Sequence, residues 1–107
     1  MISKETKKEI LKFRDDRDWK KYHNGKDLAI SISLEANELL EVFQWSASDV
    51  DRIDRLERIK EELADVLIYC EMLGDYYNFD LDEIIMSKLK KNENKYPNGK
   101  KINLKTK

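Results

Sequence analysis

Two pairs of acidic residues interrupt the apolar faces of predicted helices, and they constrain the fold more than any other feature. Glu35 and Glu38 form the first pair, and Glu62 and Asp65 form the second. Residues three positions apart project from one side of a helix, so each pair would face a neighbouring helix. A buried carboxylate without a partner is costly or takes up a proton. The pattern therefore predicts two helices that face each other across a cation.

Glu35 is the most informative of the four acids because it lies in the middle of an apolar stripe. Glu38 lies at the edge of the same stripe. An ordinary amphipathic helix would carry an aliphatic residue at position 35. At 100° per residue the stripe consists of Leu28, Ile32, Leu39 and Val42. We interpret Glu35 as an inward-facing ligand of a metal ion.

Glycine and proline, the residues that form most tight turns, are scarce in this chain of 107 residues, which has three Gly and one Pro. A β-rich fold needs many such turns, so the sequence predicts an all-α fold. Four helices are expected, at about 3–16, 27–45, 49–77 and 80–96, with caps or stops at Asp27, Ser48, Asn78 and Asp80. They would form one helical domain over 1–97, followed by a basic, flexible tail over 98–107.

The charged residues are numerous but balanced, with 40% of the chain charged and a net charge of -1 at pH 7. This balance does not favour a nucleic-acid polymer as partner, because such proteins carry a clearly basic face. Cys70 is the single cysteine and cannot form an internal disulfide. The sequence shows neither a membrane-spanning apolar run nor a secretory signal. We expect a soluble cytoplasmic protein that does not bind membranes.

Carboxylates without accompanying His or Cys indicate a hard divalent cation, above all Mg²⁺, which often shares its ligands with phosphates. A di-iron site would need Glu-x-x-His pairs. The single histidine, His23, lies outside both acidic pairs, and zinc sites also favour His or Cys. The predicted fourth helix places Lys88 and Asn92 on the same inward face as Leu81, Ile84, Ile85 and Leu89. With Lys95, these polar residues are candidates for binding a phosphate-bearing substrate.

Five ordered segments resemble the MazG-like all-α nucleoside triphosphate pyrophosphohydrolases, and within them the dCTP pyrophosphatase branch. The resemblance covers roughly 13–97. Besides Glu35-x-x-Glu38 and Glu62-x-x-Asp65, the matching stretches are Arg17-Asp18-Trp19 with His23, Glu41-Val42-Phe43-Gln44-Trp45, Asp65-Val66-Leu67-Ile68-Tyr69, Ser87-Lys88-Leu89-Lys90-Lys91-Asn92 and Lys95-Tyr96-Pro97.

This resemblance implies a Mg²⁺-dependent cleavage between the α- and β-phosphates of a nucleotide such as dCTP, with Mn²⁺ as an alternative cation. The products would be a nucleoside monophosphate and pyrophosphate, in a role that clears nucleotide pools. The metal ligands implied are Glu35, Glu38, Glu62 and Asp65. In our mechanistic hypothesis the metal lowers the pKa of a water that attacks phosphorus in line, and Glu41, beside Glu38, orients or deprotonates it.

The resemblance also implies substrate contacts. Lys88 and Asn92 would contact phosphate or sugar, and the nucleoside pocket would be shaped by Trp19, His23, Trp45 and Tyr69. The family usually assembles its site in homodimers or homotetramers. A domain this small also gains stability by burying apolar faces against a copy.

A different class of function stays open at this stage. The chain would then be a catalytically idle helical module that regulates or binds other proteins and uses its acids for a structural cation. Without the resemblance, Trp19, Trp45 and Tyr69 would be assigned to packing, and Lys88 to a lysine that snorkels from an apolar stripe.

Overall fold

Four α-helices account for most of the chain in the computed structural model, which describes residues 2–97. No strand occurs within that range, which confirms the predicted all-α fold. The predicted tail over 98–107 lies outside the described residues. The helices are α1 (Lys4–Asp16), α2 (Gly25–Glu41), α3 (Leu56–Tyr76) and α4 (Leu81–Lys95), with short 3₁₀ turns at Lys20–Tyr22 and Ile53–Arg55.

Side-chain caps explain where three of the helices begin. Ser3 accepts a hydrogen bond from the Thr6 amide before α1. Asp80 accepts one from the Glu83 amide before α4, as the sequence predicts. The predicted cap of α2 at Asp27 is wrong. Asn24 caps this helix, because its Oδ1 accepts a hydrogen bond from the Asp27 amide at 2.8 Å.

The connection between α2 and α3 is longer than predicted and covers residues 42–55. The helix that was expected to reach Trp45 ends at Glu41, and α3 begins at Leu56 rather than near Asp49. Arg52 organises this connection: its φ of 46° is left-handed, and its Nη1 donates to the Val42 carbonyl at 3.2 Å. Trp45 therefore lies on a loop and not on a helix.

The connection between α3 and α4 agrees with the prediction. Asn78 adopts a left-handed φ of 60°, a conformation that asparagine tolerates better than most residues. It ends α3 two residues before the cap of α4. The tight turn brings Leu81 against Gly74, where a side chain at position 74 would crowd it.

A small apolar core joins the first three helices. Ile10, Leu28 and Met72 are buried at its centre, and the side chains packed around them are Ile2, Ile68, Tyr69 and Leu73. The main helix contact is between α2 and α3, with α1 packed on α3. A partly buried ion pair reinforces the α1 contact, because Arg14 Nη1 donates to Asp75 Oδ2 at 2.7 Å. These three helices form the scaffold on which the acidic pairs are placed.

The apolar face of α4 is not part of this core. Ile84, Ile85 and Leu89 are 44%, 37% and 51% exposed. The prediction that they point into the interior is therefore wrong for a single chain. Burial of this face would require a partner surface.

None of the helices in the described range is both long and apolar enough to cross a membrane.

We expect Gly25→Ala to destabilise the protein by about 1–3 kcal/mol, the usual range for an overpacked site. A Cβ at position 25 would overlap the Tyr77 hydroxyl and lie 2.9 Å from Tyr77 Cζ. The Tyr77 ring cannot easily yield, because it stacks on Phe79 at 5.4 Å and meets Tyr76 edge-on. Urea unfolding measures the change.

The matched control is Gly25→Ala combined with Tyr77→Phe, which removes the overlapping hydroxyl and should recover much of the loss. Alanine also restricts the unfolded chain, which by itself would stabilise the protein. An increase in stability for Gly25→Ala alone would therefore mean that the overlap with Tyr77 is absent, and it would contradict this packing.

Candidate metal centre and adjoining pocket

The acids predicted on two separate helices meet in the folded chain. Glu35 of α2 and Glu62 and Asp65 of α3 each offer a carboxylate oxygen, and these oxygens lie within 4.8 Å of one another. The α2–α3 contact creates this cluster, because the acidic margin of each helix borders the face that it packs against the other. The structure thus brings Glu35 together with two acids that lie 27 and 30 positions later in the sequence.

Two oxygens in the cluster are buried without a hydrogen bond from any described residue, Glu35 Oε2 and Glu62 Oε2. The other oxygen of Glu62 accepts a hydrogen bond from Arg58 Nη2 at 3.3 Å. Orphaned buried oxygens are costly, and three converging carboxylates repel one another. A hard divalent cation would satisfy both the oxygens and the charge, so the residues present fit such an ion.

The protonation of the cluster reflects this crowding. A hydrogen bond with Glu35 and the negative charge of that residue raise the pKa of Glu38. Burial raises the pKa of Glu62, and interaction with Glu38 raises it further. Without a cation, these carboxyl groups therefore hold protons to a higher pH than exposed glutamates do.

A cavity of about 780 Å³ adjoins the acids. Glu35 and Asp65 form part of its wall, which is otherwise mostly apolar and comes largely from α1 and α3. Small-molecule sites usually occupy about 300–1,000 Å³ and combine apolar walls with a few polar groups. The cavity is large enough for a nucleotide-sized ligand next to the carboxylates.

Two of the predicted nucleoside contacts, Trp19 and Tyr69, line this cavity. Burial, followed by the charges of Glu35 and Asp65, raises the pKa of the Tyr69 hydroxyl, which keeps it protonated. Trp19 reaches the wall because the chain turns sharply after α1: Asp18 has a φ of 54°, and the Trp19 amide donates to the Arg14 carbonyl at 3.1 Å.

His23 is not among the residues that line the cavity. It is partly buried and follows the first 3₁₀ turn. Burial lowers the pKa of His23, and the nearby Arg14 guanidinium lowers it further. The imidazole is therefore neutral at neutral pH.

The remaining predicted residues lie elsewhere in the chain. Lys88 and Asn92 line a second, shallower concavity of about 340 Å³ together with Ile84, Ile85 and Leu89 of α4. Their common face is as predicted, but it does not join the cavity wall next to the carboxylates. The Lys95 ammonium lies 5.4 Å from the Tyr96 ring centroid at the end of α4.

Trp45 and Glu41 are also outside the cavity wall. Trp45 is 85% exposed on the connection after α2. Glu41 is exposed at the last position of α2, where Asn37 Nδ2 donates to its Oε1 at 3.4 Å.

Two further residues of the cavity wall, Phe13 and Arg17, are not among the predicted site residues. The Arg17 guanidinium lies 3.5 Å from the Phe13 ring centroid, and Trp19 meets the same ring edge-on at 5.5 Å. Positions 13 and 17 are one helical turn apart, which predicts that they touch. The contact with Trp19 depends on the turn at Asp18, for which the sequence carries no clear signal.

Curated proteins and a solved structure are similar to this chain. It is 36% identical over 91 residues to dCTP pyrophosphatase 1 of Mus musculus and 34% identical over 90 residues to that of Homo sapiens. Each match covers 79% of this chain and 53% of the relative, so the chain spans about half the length of these curated relatives. The crystal structure of a pyrophosphatase from Archaeoglobus fulgidus is 47% identical, with a TM-score of 0.75 over 82% of this chain and 85% of that one.

The model of the MazG-like family matches residues 30–107, well over half of the chain. The matched region includes Glu35, Glu38, Glu62 and Asp65, together with most of α2 and the whole of α3 and α4. With the all-α fold, the converging carboxylates and the likeness to the archaeal structure, this match shows that the chain belongs to the MazG-like family.

Proposed function

We propose that this protein is a nucleoside triphosphate pyrophosphohydrolase that cleaves between the α- and β-phosphates and releases a nucleoside monophosphate and pyrophosphate. The observation that carries the proposal is the cluster of Glu35, Glu62 and Asp65 beside a cavity of about 780 Å³. The named functions of its relatives support the same reaction. The reaction fits this chain because it needs positioning and charge neutralisation more than a protein nucleophile.

The proposed ligands of the divalent cation, Mg²⁺ with Mn²⁺ as a substitute, are Glu35, Glu38, Glu62 and Asp65. Bound there, the cation would neutralise phosphate charge and make a water more acidic. The orphaned oxygens of Glu35 and Glu62 support this assignment. Glu38 is outside the set of oxygens within 4.8 Å, but it interacts with both Glu35 and Glu62 and is proposed to supply a further carboxylate. Glu41, one turn beyond it on α2, is proposed to orient the attacking water or accept its proton.

The nucleoside is proposed to lie against Trp19 and Tyr69. Both aromatic side chains line the cavity, and the protonated Tyr69 hydroxyl remains a hydrogen-bond donor. His23, held neutral by burial, is proposed to contribute a hydrogen bond near this end. The curated relatives are named for dCTP, which supports deoxycytidine triphosphate as the preferred substrate.

A homodimer or homotetramer is proposed to complete the site. The basic and amide residues of α4 face a shallow concavity of their own, beside an apolar face that this chain leaves exposed. A second copy would cover that face and bring Lys88, Asn92 and Lys95 to the acidic cavity of its partner. The 85% exposure of Trp45 fits the same role in a neighbouring pocket. A cytoplasmic location is part of this proposal and fits nucleotide substrates.

A pyrophosphate-release assay over the four dNTPs with Mg²⁺ tests the reaction. We expect the highest kcat/KM with dCTP, and losses on the order of a hundredfold or more for Glu38→Ala and Asp65→Ala, which remove cation ligands. Equal turnover of all four dNTPs would refute the cytosine preference alone. No release by the folded protein, combined with a higher melting temperature in Mg²⁺, would instead favour the helical module with a structural cation.

A further inference from the structure

Arg17 is held in a defined orientation on the cavity wall. Its guanidinium lies over the Phe13 ring, 3.5 Å from the centroid, and its Nη1 donates to the Phe13 carbonyl at 3.0 Å. The stacking and the hydrogen bond both come from one residue a turn earlier on α1. Arg17 is thus held in place without an ion pair to a described acidic residue.

Arg17 differs in this respect from the other four arginines of the chain. Within the range that the structure describes, each of the others lies within 4.0 Å of a carboxylate oxygen. Arg17 has no such carboxylate among the described residues. The pairs of the other four are Arg14 with Asp15 and Asp75, Arg52 and Arg55 with Asp54, and Arg58 with Glu62.

The second cation of the cavity wall, Lys12, is already neutralised. Its ammonium lies 2.6 Å from Asp16 Oδ2, an ion pair within α1. The wall also contains Glu35 and Asp65, the two cluster acids that reach the cavity. Among the described residues of this wall, Arg17 is therefore the cation that remains available to an incoming anion.

We propose that Arg17 binds a phosphate group of the substrate, an inference that rests on the proposed function and identifies a further binding residue for it. A guanidinium has five N–H donors, and the Phe13 carbonyl uses one of them. The remaining donors match phosphate oxygens in geometry and charge. The phosphates of a nucleotide are its anionic groups, and the acids of the same wall repel any anion that lacks a counterion.

Substrate would thus be held from two sides of the cavity. The carboxylate cluster would bind the phosphates through the divalent cation, and Arg17 would donate hydrogen bonds to a phosphate oxygen directly. Phe13 is the positioning residue: its ring and carbonyl aim the guanidinium, and its edge contact with Trp19 joins this end of the cavity to the proposed nucleoside platform.

Steady-state kinetics of Arg17→Met, with Lys12→Met as matched control, test the proposal. We expect Arg17→Met to raise KM about tenfold to a hundredfold with kcat changed less than about threefold, because the lost contact is present in both ground and transition states. Arg17→Lys keeps the charge but not the planar guanidinium, so its KM should lie between those of wild type and Arg17→Met. Lys12→Met removes a cation that is already paired and should change KM less than about twofold.

The loss of kcat/KM in Arg17→Met must also be independent of the base of the nucleotide. Loss of a phosphate contact lowers kcat/KM by the same factor for every dNTP that is turned over. A factor that differs among the bases would overturn the proposal, since it would mean that Arg17 acts on the nucleoside end through Phe13 and Trp19. A KM for Arg17→Met equal to that of Lys12→Met would also overturn it.

Binding of inorganic tripolyphosphate with Mg²⁺ separates this proposal from the proposed function. Calorimetry with the wild-type protein and the two methionine variants needs no turnover. We expect weaker binding for Arg17→Met only, even if the wild-type protein releases no pyrophosphate from any dNTP. Equal affinity in all three proteins would contradict the role of Arg17, whatever the outcome of the hydrolysis assay.

Discussion

Glu62→Gln is expected to abolish hydrolysis and, at neutral pH, to make the cation-free protein more stable than wild type. Activity should fall on the order of a thousandfold, because the substitution removes a central carboxylate of the proposed cation site. Stability should rise because Glu62 is buried, at 9% exposure, next to other acids. Glutamine has nearly the same shape without the charge.

The direction of the stability change follows from the raised pKa of Glu62 in the folded state. A group whose folded pKa exceeds its unfolded value favours folding fully below the unfolded pKa, and this contribution is lost as pH rises through the folded pKa. The raised pKa of Glu38 adds the same dependence. Cation-free wild type should therefore melt at a higher temperature as pH falls from neutral toward the ordinary glutamate pKa of 4.5, until other groups titrate, and Glu62→Gln should flatten this change.

Thermal melts with and without Mg²⁺ over this pH range check both effects. Mg²⁺ should raise the melting temperature of wild type, and this increase should become smaller as pH falls, since protons compete for the same oxygens. Glu61→Gln is the matched control, a neighbouring exposed acid that lies outside the cluster. Near-wild-type activity of Glu62→Gln would remove Glu62 from the proposed cation site.

Two inactive variants are expected to restore activity to each other when they are mixed. In the proposed assembly the acids of one copy work with α4 of another. Asp65→Ala would inactivate the acidic half of a site, and Lys88→Ala would inactivate the α4 half. A mixed dimer then contains one site with both lesions and one site with neither. Random reassociation of equal amounts should recover about a quarter of wild-type activity for a two-site dimer.

The mixture must be dissociated and reassembled before the assay, with each variant treated alone as the control. No recovery, in a mixture shown by native mass spectrometry to contain heterodimers, would mean that each site is completed within one chain. The exposed face of α4 provides a second check. Leu89→Lys should shift the protein toward monomer and lower activity, because Leu89 lies beside Lys88 on that face and is 51% exposed in the isolated chain.

Local signals made some of the fold predictable. Ser3 and Asp80 begin their helices through contacts with amides three residues away, and Asn78 ends α3 through its own backbone conformation. Such features depend on neighbouring residues alone. The error at Asp27 has the same origin, because Asn24 and Asp27 both have capping side chains, and the extended backbone of Asn24 determines which of them caps the helix.

The end of α2 was not predictable because contacts across the connection determine it. The apolar pattern continues through Val42 and Phe43, which favours a longer helix. The Arg52 guanidinium, ten positions later, donates a hydrogen bond to the Val42 carbonyl, and the chain forms a loop here instead of a further helical turn. Trp45 consequently lies on an exposed surface rather than on a continuation of α2.

By itself, the sequence determined the all-α class and the acids of the candidate cation site, because carboxylates on apolar helical stripes are too costly to occur there without a reason. Only the tertiary structure showed that Glu35 meets Glu62 and Asp65, that their cavity includes Phe13 and Arg17, and that α4 with Lys88 and Asn92 faces elsewhere. The physical reason is the range of the interactions. Helical periodicity is local, whereas the meeting of acids, the turn that places Trp19 and the exposure of α4 depend on how whole helices pack.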